Sequence, residues 1–234
     1  VMIIAVVIFV IWILWNIVVS MIPTLGGSFG AGFPSGSGGR AIRDVEIDVE
    51  PQVVYRIDDH RFFTLEQYLD CNNGGFVYYN DTNKKIKVLA GYEGADKRPQ
   101  NEVTINEENN VMAFKGKFIY AASDNIIAYP YRDVDYKYGN PTYFAIYDNI
   151  KAPSKRTGSG SIRSDAKIII TDEAMYIKDS TIDKYNKKIE IPKINSDGYE
   201  WIESSKVNFK RVSKDDHFHC DNTIKPRRVK YISN

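Results

Sequence analysis

The first 39 residues carry no charge, and after residue 22 no stretch of ten or more residues shows convincing helical periodicity. Other absences narrow the function. The formal net charge is only +1, so no strongly basic field exists to hold nucleic acid. No second long apolar run follows the first, which excludes a channel or transporter. No Cys stands directly after that run either, which argues against a lipoprotein. The glycines of residues 26–39 lack a following Lys-Ser/Thr and a strand–helix frame, so they do not make a phosphate loop. No G-x-S-x-G elbow occurs. Gly158-Ser159-Gly160-Ser161-Ile162, flanked by Lys155, Arg156 and Arg163, reads as a solvated basic loop, and Asp172-Glu173 as a turn.

What the front of the chain has instead is an apolar run. Residues 1–22 are interrupted only by Asn16 and Ser20. As a helix they would be roughly 33 Å long, enough for a ~30 Å hydrocarbon core. A cleaved signal peptide has an apolar core of about 7–15 residues, a basic start and a small-residue cleavage site. Met21-Ile22-Pro23 supplies no such site, so an uncleaved single-pass membrane anchor is expected. Arg40 and Arg43 sit at the limit of the distance over which flanking charge orients a span, so charge does not set its direction. Residues 23–39 form a Gly/Ser-rich linker. Its segment 26–39 holds seven glycines and three serines. Such a coil spans roughly 20 Å.

From residue 40 to 234 the chain reads as one all-β binding domain. Asp44–Glu50 alternates strictly, placing Val45, Ile47 and Val49 on one face. Further strand-like runs are Val53–Ile57, Gly75–Tyr79, Lys85–Leu89, Phe114–Ala121, Thr142–Tyr147, Lys167–Thr171, Ala174–Lys178, Lys188–Ile191 and Val207–Val212. Thr64–Leu69 is the one candidate for a helical turn. Strands at roughly ten-residue spacing indicate a propeller or a sandwich. Phe76–Leu89 and Ala174–Ile191 each read as strand, polar turn, strand, closing on Lys-Lys-Ile. That weak repeat favours a propeller-like fold, with a β-sandwich as the alternative.

Candidate chemistry is sparse. Asp58-Asp59-His60 and Asp215-Asp216-His217-Phe218-His219-Cys220 are the only clusters resembling metal or acid–base sites. On a strand, Asp215, His217 and His219 would share a face and offer three ligands to zinc. An exposed edge beside a disulfide accounts for them equally well, so neither a metal nor a catalytic residue is expected. Cys71 and Cys220 are 149 positions apart. In an exported domain they fit one disulfide closing nearly the whole fold, and otherwise two unrelated buried thiols. Tyrosines crowd between Ile126 and Ile150. There Tyr131, Arg132, Tyr136, Lys137 and Tyr138 form the best candidate contact surface, because Tyr joins large contact area to a hydrogen-bonding tip.

Val54-Tyr55-Arg56-Ile57-Asp58-Asp59-His60-Arg61-Phe62-Phe63-Thr64-Leu65-Glu66, then Asp70-Cys71, then Val77-Tyr78-Tyr79-Asn80-Asp81-Thr82, resemble the opening of the type VI secretion lipase-immunity proteins of the third class. His217-Phe218-His219-Cys220-Asp221-Asn222-Thr223-Ile224-Lys225-Pro226 resembles that family's closing pattern, and residues 90–210 match nothing specific. The resemblance implies a protein, not an enzyme, that binds and blocks a cognate antibacterial phospholipase effector. It implies no cofactor and no catalytic residue. The partners would be the lipase effector and, through residues 2–22, the bacterial inner membrane, with the C-terminal domain in the periplasm. The alternative is a bitopic envelope scaffold or sensor, and a periplasmic hydrolase or metalloenzyme ranks behind both. The span and tether stand where the family is expected to have an exported or lipid-anchored start.

Overall fold

Alternating burial shapes the first strand. Val45, Ile47 and Val49 point into the core while Glu46 and Asp48 face outward. The computed structural model describes residues 45–90, 109, 111–132, 142–147, 155–156, 162–163, 165–178, 184–191, 198–207, 209 and 212–231. The expected span and linker lie outside these residues. Among the described residues, no helix is long and apolar enough to cross a membrane.

The described residues are all-β, with a short 3-10 turn at Ser204–Lys206. Strand β1 (Val45–Asp48) pairs antiparallel with the last strand, β14 (Arg228–Tyr231). Strands β2 (Gln52–Arg56), β3 (Arg61–Tyr68), β4 (Gly74–Asp81) and β5 (Ile86–Ala90) make a four-stranded antiparallel meander. A third sheet has the order β13-β12-β11-β10-β6. Its members are β6 (Lys117–Tyr120), β10 (Lys167–Ile170), β11 (Ala174–Lys178), β12 (Tyr185–Glu190) and β13 (Glu200–Glu203). Among the described strands only β6 and β10 run parallel, which requires a long crossover. That crossover carries the fourth sheet, β7 (Ile127–Arg132), β8 (Thr142–Tyr147) and β9 (Lys155–Arg156).

Both hairpins expected from the Lys-Lys-Ile repeat form, as β4–β5 and β11–β12. Two expectations are corrected. The candidate helical turn at Thr64–Leu69 lies largely within β3, because Arg61, Phe63 and Leu65 all point inward and extend a period of two. Arg61 hides this alternation, being a charged residue at a buried position. Val207, Phe209 and Val212 lie in no strand; Val207 and Phe209 instead cover the outer face of the five-stranded sheet.

Aromatic side chains join the sheets. Phe63 on β3 meets Tyr79 on β4 at 5.5 Å and Tyr129 on β7 at 6.5 Å between ring centroids. Phe118 on β6 meets Phe144 on β8 at 5.4 Å. These rings share one core, into which Phe218 of the C-terminal segment also packs, 5.7 Å from Phe63 and stacked 6.0 Å from Phe118. Ile168, Ile169 and Ile170 are all buried, since β10 is covered on both faces.

Residues 213–221 run as a strap between two sheet edges. Lys214, Asp215 and His219 donate their amides to the carbonyls of Ile57, Arg56 and Val54, along the outer edge of β2. On the other side the amide of Phe118 donates to Asp216 O at 2.7 Å, and the amide of Tyr120 to Ser213 Oγ at 3.1 Å. Tyr55 Oη lies 2.6 Å from Phe118 O and 2.7 Å from Ser213 Oγ, so one buried hydroxyl ties β2, β6 and the strap. Gln52 fastens the far end, exchanging hydrogen bonds with the backbone of Asp221. The Cys71–Cys220 disulfide then locks it, with the two Cα atoms 5.8 Å apart.

Closing a loop across 149 positions stabilises the fold by about 5 kcal/mol in the chain-entropy model. Cys220→Ser is expected to lower the unfolding free energy by about 2–5 kcal/mol, measured by urea denaturation, and reduction of the parent protein should do the same. Gly75 has φ +88°, and a Cβ there would lie 2.8 Å from Tyr68 Cβ and 2.9 Å from Leu65 Cδ1. Gly75→Ala should therefore cost about 2–3 kcal/mol in the same assay, more than an ordinary strand glycine.

Candidate functional site

The strongest polar constellation is built on the turn between β2 and β3. Asp58 Oδ1 accepts the amides of His60 at 3.0 Å and Arg61 at 2.8 Å, which fixes the turn. Its Oδ2 accepts from Arg61 Nε at 2.7 Å. The fully buried Arg61 also donates from Nη1 to Ser123 O at 3.1 Å, and that nitrogen lies 3.2 Å from Asp124 Oδ1. The guanidinium carbon sits 5.3 Å from the centre of the Tyr120 ring. This single side chain therefore clamps the β2–β3 turn to the loop between β6 and β7.

Ligand atoms of Asp58, His60 and Asp124 lie within 4.8 Å of one another, a grouping that could hold a cation. Arg61 already engages both carboxylates, so its permanent charge takes the cationic role there. Burial pushes the Asp58 carboxyl up, but bonds from Arg61 and from the turn amides outweigh it and hold the group below its ordinary range. Burial alone would lower the Arg61 pKa, and the bond to Asp58 together with the charge interactions of Tyr120, Asp58 and Asp124 more than offsets that. Tyr120, fully buried beside them, is pushed well above its usual pKa by desolvation.

Asp215, His217 and His219 lie on the strap rather than on a strand. The two imidazole rings do come together, with centroids 6.1 Å apart, and both are exposed. Each pairs locally: His217 Nδ1 lies 2.7 Å from Asp216 Oδ1, and His219 Nδ1 3.8 Å from Asp215 Oδ2. Asp215 Oδ2 also accepts the Arg56 amide at 2.6 Å, a strap contact. Arg163 grips Asp165 with two bonds of 2.9 Å. Asp172 and Glu173 sit at the bend between β10 and β11, and Asp172 Oδ1 accepts the Ser123 amide at 2.7 Å.

Of the tyrosine-rich candidate surface, Tyr131 and Arg132 end strand β7, in register with Tyr143 and Thr142. Tyr136, Lys137 and Tyr138 lie outside the described residues. Two residues absent from the sequence reading stand out. Tyr199 and Trp201, beside and on β13, are 52% and 51% exposed, the largest aromatic exposures among the described residues. The apolar–polar–apolar run Tyr199-Glu200-Trp201, leading into Ile202-Glu203, is the signal the sequence offers for them.

Taken together, these features define a disulfide-closed all-β protein whose buried polar cluster braces loops. Residues 47–179 match the family model described as T6SS Tli3 immunity protein, and the chain belongs to that type VI secretion immunity family. The match includes the opening motif at residues 54–82 and extends through the middle of the domain, where the sequence reading saw nothing specific. The strap and its Cys220 fall beyond it. Among curated proteins no match was found. Family membership points to binding and neutralising a type VI effector rather than to catalysis.

Arg61→Met should destabilise the domain by about 3 kcal/mol at pH 7, because Asp58 would be left charged without its partner. Asp58 has a depressed pKa, so its stabilisation is present above its unfolded value of about 4 and is lost as pH falls through the folded value. The stability difference between parent and variant should consequently shrink at pH 3, measured by urea denaturation at both pH values.

Proposed function

We propose that this protein neutralises a cognate type VI phospholipase effector by direct protein–protein inhibition, acting in the periplasm from an inner-membrane tether. Membership of the T6SS Tli3 immunity family carries the effector-binding part. The lipase reading comes from the resemblance of residues 54–82 and 217–226 to the lipase-immunity class. Two physical features support the location. A disulfide forms and persists in oxidising compartments, which fits a periplasmic domain. The uncharged apolar run 1–22 fits a single span.

A phospholipase acts on the membrane surface, so an inhibitor anchored there is concentrated where damage begins. The ~20 Å tether keeps the domain at high effective concentration near that surface while letting it turn toward its target. Inhibition requires covering an active-site mouth or holding a lid, over about 800 Å² per partner. Tyr131, Arg132, Tyr136, Lys137 and Tyr138 are the first candidates for that contact. Four sheets, three antiparallel and one with a single parallel pair, contribute to one aromatic core, which supports a propeller-like arrangement in which each sheet serves as a blade.

Co-expression of the full chain with the type VI effector encoded beside it tests the proposal. A stable complex that abolishes phospholipid hydrolysis is the expected result. A complex with an effector that attacks something other than lipid would remove the phospholipase reading, and absence of any complex would turn the assignment toward an envelope scaffold. Joint replacement of Tyr131, Tyr136 and Tyr138 by Ala should lower protection at least tenfold in a toxicity assay; unchanged protection would eliminate that surface.

A further inference from the structure

The inner face of the five-stranded sheet runs out from under its own cover. Following the pairing register, one row of side chains goes Phe118, Ile168, Ile177, Lys187, Trp201. Its first two members are fully buried core, Ile177 and Lys187 are half-buried, and Trp201 is half exposed. On this face the row therefore ends in an indole about half open to solvent. The opposite face is closed at the same edge, since Ile202 packs on the second apolar cluster with Val207 and Phe209.

The surroundings of Trp201 are those of a contact surface. Tyr199 meets it edge-on, with ring centroids 5.9 Å apart. The Lys187 ammonium lies 4.2 Å from the centre of the Tyr199 ring, and that of Lys184 lies 5.4 Å from the centre of the Tyr185 ring. Neither lysine has a carboxylate partner among the described residues. On the opposite face, by contrast, Lys188 is neutralised by Glu200 at 2.6 Å. Among the described residues, β13 pairs only with β12 and is an end strand of its sheet. Aromatic side chains beside unneutralised lysines and an open strand edge suit an extended, acidic segment that adds to the sheet. The edge carries Glu200 and Glu203, as a protected edge does, but Tyr199 and Trp201 stand about half exposed beside them.

We infer that β13, with Trp201, Tyr199 and Lys187, is a docking edge for an acidic extended segment of the cognate effector. This rests on the effector-binding reading above and deepens it. Strands β12 and β13 lie beyond the stretch matched by the family model, a suitable place for what distinguishes one immunity protein's partner from another's.

The test uses the full chain with its paired effector. The double variant Trp201→Ala with Tyr199→Ala is expected to weaken binding at least 30-fold, and Lys187→Glu about fivefold, the latter more at low salt. Because these side chains lie at the surface, the thermal midpoint of the free protein should hardly move. As an independent readout, hydrogen exchange at the amides of Trp201–Glu203 should slow in the parent complex. Affinities within about twofold of the parent for both variants, or unchanged exchange at β13, would overturn the docking edge while leaving the immunity role standing. So would a Trp201-dependent dimer of this chain, because the edge would then belong to a second copy. Failure of the unaltered protein to bind the effector would instead strike the immunity role itself.

Discussion

The C-terminal strap is the constraint on which the rest of the structure depends. Two sheets each end in an edge that needs backbone partners, β2 of the meander and β6 of the five-stranded sheet. Residues 213–219 satisfy both. A segment with hydrogen-bonding partners on both sides acts as a shared strand, although its own geometry is irregular. Phe218 carries the same join into the core by reaching rings from both sheets. The disulfide and the Gln52 bonds hold the strap in register against loss of its ends.

A second brace works at the opposite end of the β2–β3 hairpin. Arg61 is buried, and an unpaired buried charge would be costly. Its bonds to Asp58 and Ser123, and its proximity to Asp124, offset that cost and dictate where the β6–β7 loop sits. The strap reaches the same turn, since Lys214 pairs with Asp59. The meander, the crossover carrying β7–β9 and the C-terminus are thus fastened around one short turn. A cluster that resembles a metal or acid–base site in sequence acts here as a structural rivet.

A domain braced this way suits an inhibitor. Binding costs less when a protein is ordered in advance, and the strap and the disulfide hold the sheets of this domain in order. The outer margin of the five-stranded sheet is less enclosed, and there aromatic side chains meet solvent instead of core. Membership of a type VI immunity family, which implies binding an effector, is compatible with this contrast between a braced body and a more open margin.

Local pattern was enough for much of this protein. Alternation at Val45–Val49 and the two Lys-Lys-Ile hairpins were legible because a strand's side-chain period is visible in neighbouring residues. Two cysteines in a chain of this kind suggested their own pairing, and the motifs at residues 54–82 pointed to the family. Strand β3 was not legible, because a buried arginine breaks the apolar pattern and only Asp58, Ser123 and Asp124 explain why it is tolerated. Nor was the role of residues 213–221, whose long-range hydrogen-bonding partners lie from 93 to 169 positions away in sequence. The exposure of Trp201 was likewise decided by tertiary structure. Alternation separates the two faces of a strand, but which face is covered at a sheet's edge depends on elements distant in the chain.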